Sequence, residues 1–286
     1  MNDAPKVDGL PQFLVYRAVA AALEEDLGPA GDITTNATID ETAREKVAIV
    51  AREPGVIAGL QFAEASFKTF DHGIDFKIIT GDGRNVAAAG VVATIEGHVR
   101  ALLTGERVAL NYLGHLSGIA TLTDAFAQAI SGTGAMVCCT RKTTPQLRAY
   151  EKYAVRMGGG ANHRFTLSDA MLIKDNHIAA CGGIAEAIER ARFHAAHMVK
   201  VEVEVDTIDQ LKLALEHDID AVLLDNMDVK TLSEAVKMAK RRVVLVASGG
   251  VTLETVSAIA ETGVDLISVG GLTHSAPGLD LGLDWS

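Results

Sequence analysis

The sequence predicts an α/β protein in two parts, a small α+β region followed by a parallel α/β barrel, and three observations carry that prediction. Beyond residue 134, strand-like apolar runs alternate with amphipathic stretches of helical spacing. Polar landmarks at the run ends recur almost evenly: Glu204 to Asp225 is 21 residues, Asp225 to Ser248 is 23, and Ser248 to Gly270 is 22. The chain is acidic, with a formal charge of -11, yet residues 140–174 hold seven cations (Arg141, Lys142, Arg148, Lys152, Arg156, Arg164, Lys174) against two anions. Alternating β and α units imply a parallel sheet, most often closed as a barrel, and barrels bind ligands at the C-terminal strand ends. The even landmarks and part of the basic stretch fall at those ends.

The elements follow in order. Apolar residues at helical spacing (Phe13, Leu14, Val19, Ala20, Leu23, Leu27) predict a helix over 11–27, broken by Gly31-Asp32-Ile33-Thr34-Thr35. Short β-like runs punctuated by glycine come next, at Val47 to Ala51, Val56 to Ala58, Phe76 to Ile79 and Val91 to Glu96. A long helix over roughly 103–130 carries Arg107 near its start. Six barrel strands are then predicted at Ala135 to Cys139, Ala170 to Ile173, Val199 to Val205, Ala221 to Leu224, Val243 to Ala247 and Val264 to Val269. Amphipathic helices fall at Thr207 to His217, Val229 to Lys240 and Leu253 to Thr262. In Val199-Lys200-Val201-Glu202-Val203-Glu204-Val205 valine alternates with charge. The valines are expected to pack on the outer helices, and Lys200, Glu202 and Glu204 to point into the barrel, where charges need partners or a ligand.

Composition narrows the function. An acidic chain with one local cationic cluster suits a small, highly charged anion and not nucleic acid, which calls for a broad basic face. No uncharged apolar run reaches membrane-spanning length, and the start, Met1 to Leu10, carries acid and proline without the pattern of a secretory signal. The three cysteines (adjacent Cys138 and Cys139, isolated Cys181) offer neither a disulfide framework nor a zinc knuckle, so buried thiols in a reducing cytoplasm are expected.

Four groups carry the chemistry. Arg141, Lys142, Arg164 and Lys174 form a candidate anion site, following Thr140 and flanking Gly158-Gly159-Gly160. His163 offers a general acid or a neutral hydrogen-bond donor. Glu204 and Asp225 end neighbouring strands and offer a carboxylate pair for Mg²⁺, sugar hydroxyls or a developing cation, with an internal salt bridge to Lys200 or Lys174 as the competing reading. Ser248-Gly249-Gly250 and Gly270-Gly271 end the last two units, where barrels often bind phosphate.

The strings Thr140-Arg141-Lys142-Thr143-Thr144-Pro145, Gly158-Gly159-Gly160-Ala161-Asn162-His163-Arg164 and Leu172-Ile173-Lys174-Asp175-Asn176-His177 closely resemble the nicotinate-nucleotide pyrophosphorylases, or quinolinate phosphoribosyltransferases. The resemblance continues through Glu202 to Val205, Asp225 to Met227, Ala247 to Val251 and Leu272 to Ser275, and includes Gly31 to Thr34 and Glu106 to Asn111. It implies an N-terminal α/β sandwich over 1–112 and an incomplete barrel of fewer than eight units over 113–272, with 273–286 returning to the first domain. It also implies Mg²⁺-dependent transfer of phosphoribose from phosphoribosyl pyrophosphate to quinolinate, with loss of CO₂. By that resemblance Arg107, Thr140, Arg141, His163, Arg164 and Lys174 bind quinolinate and Lys142 serves both substrates. Glu204 and Asp225 stand at the ribose and Mg²⁺-pyrophosphate, and Ser248 to Gly250 with Gly270 and Gly271 cradle the 5′-phosphate. Arg107 is implied to come from the partner subunit of a homodimer. One departure is Gln146, where the family commonly has glycine. Competing readings are a paralogous phosphoribosyltransferase acting on another base, a Schiff-base aldolase using Lys174, and a non-catalytic anion-binding barrel.

Overall fold

A computed structural model describes residues 8–285, so residues 1–7 of the stretch read for signal character lie outside it. The helices are α1 (Gln12–Leu27), α2 (Ile33–Thr38), α3 (Leu60–Lys68), α4 (Val99–Ala129), α5 (Arg148–Met157), α6 (Asp175–Cys181), α7 (Ile184–His194), α8 (Ile208–Ala214), α9 (Val229–Ala239), α10 (Leu253–Ala260) and α11 (Gly271–His274). The strands begin with β1 (Arg44–Ala51), β2 (Gly55–Val56), β3 (Asp75–Ile78), β4 (Asn85–Val86), β5 (Val91–His98) and β6 (Met136–Cys138). They continue with β7 (Met171–Ile173), β8 (Val201–Val205), β9 (Ala221–Asp225), β10 (Val244–Ser248), β11 (Leu266–Ser268) and β12 (Leu281–Trp285).

Two compact units result, one comprising residues up to 124 with 149–159 and 275 onward, the other 125–148 with 160–274. The first contains an antiparallel sheet in the order β12-β1-β5-β3. Its buried face (Val47, Ile49, Ala93, Ile95) packs on α3 and α4 through Phe67, Leu102 and Leu113, a two-layer sandwich. The C-terminal strand β12 pairs with β1, Leu281 opposite Ala51 and Trp285 opposite Val47. Helix α4 begins at Val99, earlier than the predicted 103, and continues past the expected boundary at residue 112. The break predicted at Gly31 to Thr35 is also a start: Asp32 caps α2, accepting the Thr35 N–H at 2.9 Å.

The second unit holds one parallel sheet in the order β6-β11-β10-β9-β8-β7. All six predicted strands form, within one or two residues of their expected limits. The terminal strands β6 and β7 are not hydrogen-bonded to each other, so the barrel is incomplete. Val201, Val203 and Val205 are buried as the alternation predicts. Side-chain caps start two of the outer helices: Thr207 on α8 accepts from Gln210 N–H, and Asp228 on α9 from Thr231 N–H at 2.7 Å. After β7 to β11 the βα turn stops its strand and starts a helix within a few residues, while a longer loop, 139–147, follows β6, and the strand ends stay open for a ligand.

Candidate active site

The C-terminal strand ends of the second unit surround a cavity of about 420 Å³. Every strand of the sheet contributes to its wall: Thr140, Arg141 and Lys142 after β6, Lys174 after β7, Glu204 from β8, Asp225 from β9, Ser248 from β10 and Ser268 from β11. His163 and Arg164 join them from the loop that bridges to the sheet at Ala161, beside Cys138. Nine of the residues read from the sequence thus line one space.

The arginines are the most telling. Among the described residues, the buried side-chain polar atoms without a hydrogen-bond partner are Arg141 Nε and Arg164 Nε. A buried donor left unpaired costs about 1–3 kcal/mol, more when charged, so two in one cavity wall point to an anionic ligand that satisfies them. Arg164 is anchored by Nη1 donating to the Ala170 carbonyl at 2.8 Å. Burial, and then the neighbouring charge of Arg141, pull its guanidinium below the ordinary arginine value. An anion between the two would relieve that repulsion. The loop after Arg164 is tied by Asp169, which accepts the N–H of Phe165 and Thr166 and the Thr166 hydroxyl and is held down at about 2, chiefly by that hydroxyl.

The remaining polar groups are paired in the way the strand order dictates. Lys174 Nζ donates to Glu204 Oε2 at 2.7 Å across β7 and β8, which is the competing salt bridge read from the sequence. A lysine whose Nζ is paired with a carboxylate is a poor amine nucleophile, which disfavours the Schiff-base reading. His163 Nε2 lies 2.6 Å from Glu202 Oε2, both side chains largely buried. Lys200 precedes β8 and is exposed. It lines a second, mostly apolar cavity of about 250 Å³ at the N-terminal strand ends, which shares His163 and Arg164 with the upper one. Asp225 Oδ2 accepts from Asn226 Nδ2 at 2.6 Å.

The glycines divide by role. A Cβ on Gly249 would fall 2.2 Å from Asn226 Oδ1, and its φ is +101°, so only glycine lets the Asn226 turn close on the β10 end. A Cβ on Gly270 would meet Lys142 Cδ at 3.2 Å, so that glycine admits the Lys142 stem. Gly250 and Gly271 face open space. The loop bearing Lys142 is fastened where the Thr273 hydroxyl donates to the Lys142 carbonyl at 2.7 Å. Gln146 takes φ +67°, the left-handed conformation that glycine adopts freely, so the loop keeps the turn that a glycine there would make. Arg107 is exposed on α4 in the first unit and is not among the cavity's lining residues.

Sequence reasoning missed Leu172, Leu223 and Ser268 in the wall and Glu202 as the partner of His163. The signal was present in the pleat: Leu172 lies opposite Glu202 and Leu223 opposite Glu204, so they share the inward face of the charged positions.

A parallel barrel whose strand ends gather cations, unpaired buried guanidinium donors, two carboxylates and open glycine turns is of the class that binds and transforms phosphorylated and carboxylated small molecules. Comparison with known proteins narrows this. The family description "Quinolinate phosphoribosyl transferase, C-terminal domain" matches residues 119–284, and "Quinolinate phosphoribosyl transferase, N-terminal domain" matches 32–117. The chain is 44% identical over 260 residues to a probable nicotinate-nucleotide pyrophosphorylase [carboxylating] of Bacillus subtilis, covering 91% of this chain and 89% of that protein. It is 43% identical over 273 residues to the nicotinate-nucleotide pyrophosphorylase [carboxylating] of Mycobacterium leprae, covering 93% and 95%. NadC from Streptococcus pyogenes superposes with a TM-score of 0.94 at 42% identity, covering 98% of this chain and 100% of that one. The nicotinate-nucleotide pyrophosphorylase of Francisella tularensis also gives 0.94, at 37% identity over 99% and 100%. The chain belongs to the quinolinate phosphoribosyl transferase family.

Proposed function

We propose that the protein transfers the phosphoribosyl group of phosphoribosyl pyrophosphate to the ring nitrogen of quinolinate, with loss of CO₂, giving nicotinate mononucleotide and pyrophosphate for NAD synthesis. The single observation that carries the site assignment is the pair of buried, unpartnered guanidinium donors, Arg141 and Arg164, in a cavity also lined by Lys142, His163 and Lys174. A dicarboxylate on a pyridine ring fits that set: one carboxylate takes the two guanidinium groups, while the lysines and Thr140 serve the other and the incoming phosphates.

Glu204 and Asp225 act where the C1–pyrophosphate bond breaks. Positive charge develops at the ribose C1, and carboxylates fixed nearby stabilise it. The turns Ser248 to Gly250 and Gly270 to Gly271 receive the 5′-phosphate, and Lys142 spans the two substrates. The residues suit Mg²⁺ as a partner of pyrophosphate and not as a caged ion. Glu204 and Asp225 are hard oxygen donors, while no cluster of three or more His, Cys, Asp or Glu suited to a metal occurs among the described residues. Glu204 and Asp225 would hold the ion beside the pyrophosphate, where it would supply charge neutralisation to the leaving group.

The working unit in this reading is a homodimer, with Arg107 of one subunit reaching the other's quinolinate; its exposure in the first unit is compatible with that role. A cytoplasmic location suits three cysteines outside any disulfide, and among the described residues no helix is long and apolar enough to cross a membrane. The test is product formation. Quinolinate, phosphoribosyl pyrophosphate and Mg²⁺ together should yield nicotinate mononucleotide, and omission of any one should abolish it; a product formed without quinolinate contradicts the reading.

A further inference from the structure

We propose that His163, positioned by Glu202, is the acid that protonates C2 of the pyridine ring when CO₂ leaves. The inference rests on the quinolinate reading above and adds a chemical step to it. Once the ring nitrogen carries the phosphoribosyl group, the C2–carboxylate bond breaks, CO₂ departs, and its electron pair stays on C2 beside the cationic nitrogen. That carbon needs a proton to become nicotinate mononucleotide, so a donor must stand in the cavity wall.

The wall offers few. Arginine does not give up a proton in proteins, which removes Arg141 and Arg164. Lys142 and Lys174 also line the wall, but in the reading above they hold the substrates' anionic groups, a role that keeps their protons in place. His163 is the one imidazole lining the cavity, and its Nε2 is held 2.6 Å from the buried Glu202 carboxylate. That arrangement is the orienting logic of a general acid: a carboxylate takes one ring N–H and fixes the plane, and the other ring nitrogen carries the proton that transfers. In the doubly protonated ring the Nδ1–H bond breaks and the C2–H bond forms. His163 is left neutral, with Nε2–H still donated to Glu202, and regains its proton from solvent before the next turnover. The second cavity, largely apolar, lies on the Glu202 side of the pair and shares His163 with the upper one. Glu202 touches no substrate in this account; it is a positioning residue.

The structural alternative is that His163 and Glu202 form a buried polar pair that only shapes the wall. Turnover of His163→Ala at saturating substrates separates the two. It should fall at least ~10²-fold, the usual contribution of general acid catalysis. Added imidazole should restore it, and pyrazole, a ring of the same size but a far weaker base, should not. His163→Gln, which keeps an N–H toward Glu202, covers the case of a misfolded alanine variant and should be folded and equally slow. Glu202→Ala should lower kcat while leaving the quinolinate Kd within about threefold of wild type. Wild-type kcat in His163→Gln, equal rescue by pyrazole, or no rescue by imidazole in folded His163→Ala overturns the proposal. A wild-type protein that makes no nicotinate mononucleotide at all would instead overturn the functional reading on which it stands.

Discussion

Lys174 Nζ donates to Glu204 Oε2 at 2.7 Å, joining the basic half of the cavity to its acidic half across two neighbouring strands. The pair is partly exposed, with 47% of the lysine side chain accessible, so its own contribution to stability is small. In the proposed reaction quinolinate would draw Lys174 away, leaving Glu204 to face the ribose. Glu204→Gln should therefore hold or tighten quinolinate binding while kcat falls at least ~10²-fold, the scale of a lost electrostatic stabiliser. Lys174→Ala should weaken quinolinate binding. Calorimetric titration beside steady-state rates checks both, and an unchanged kcat in Glu204→Gln contradicts the assignment.

Arg141 and Arg164 should each contribute roughly 1.5–3 kcal/mol to carboxylate binding, as charge-assisted hydrogen bonds do. Alanine at either position is expected to weaken quinolinate about 10- to 100-fold by calorimetry. The two should differ in stability. Arg164 also donates to the Ala170 carbonyl, so its loss should lower the melting temperature more than the loss of Arg141 does.

Gln146 sits at φ +67°. A non-glycine residue in the left-handed region costs roughly 1–2 kcal/mol, against the 0.5–1 kcal/mol that glycine adds in unfolded-chain entropy. Gln146→Gly should thus leave activity intact and raise stability slightly, by up to about 1 kcal/mol in urea unfolding. A clear loss of stability would mean that the glutamine side chain holds the loop.

Gln146 also shows where the sequence was and was not legible. Its identity marked a departure, but only the backbone shows that the turn is kept. The barrel was readable because its strands end in polar or glycine turns and helices follow, as at Asp225 with α9 capped by Asp228. Strand alternation placed Glu202 and Glu204 on the inner face and left Lys200 or Lys174 as a partner for Glu204, but could not say that Glu202 meets His163. That pairing depends on how the loop after α5 returns to the sheet at Ala161. The pairing of β12 with β1 brings together residues 230 or more positions apart, a contact with no local signature.

Arg107 tests the shared site. Mixing inactive Arg107→Ala with inactive Lys142→Ala, under conditions that exchange subunits, creates hybrid dimers with one site lacking both residues and one intact. Random mixing should return roughly a quarter of wild-type activity for independent sites in a symmetric dimer. No recovery despite demonstrated exchange would place Arg107 outside the partner's site.

The central claim is that the cavity holds quinolinate for phosphoribosyl transfer coupled to decarboxylation. Quinolinate carrying ¹⁴C in its C2 carboxylate tests it most directly when supplied with phosphoribosyl pyrophosphate and Mg²⁺. The account predicts labelled CO₂, pyrophosphate and unlabelled nicotinate mononucleotide in equal amounts, with nicotinate a far poorer substrate because it lacks the second carboxylate. Labelled mononucleotide without CO₂ release, or equal turnover of nicotinate, would contradict it.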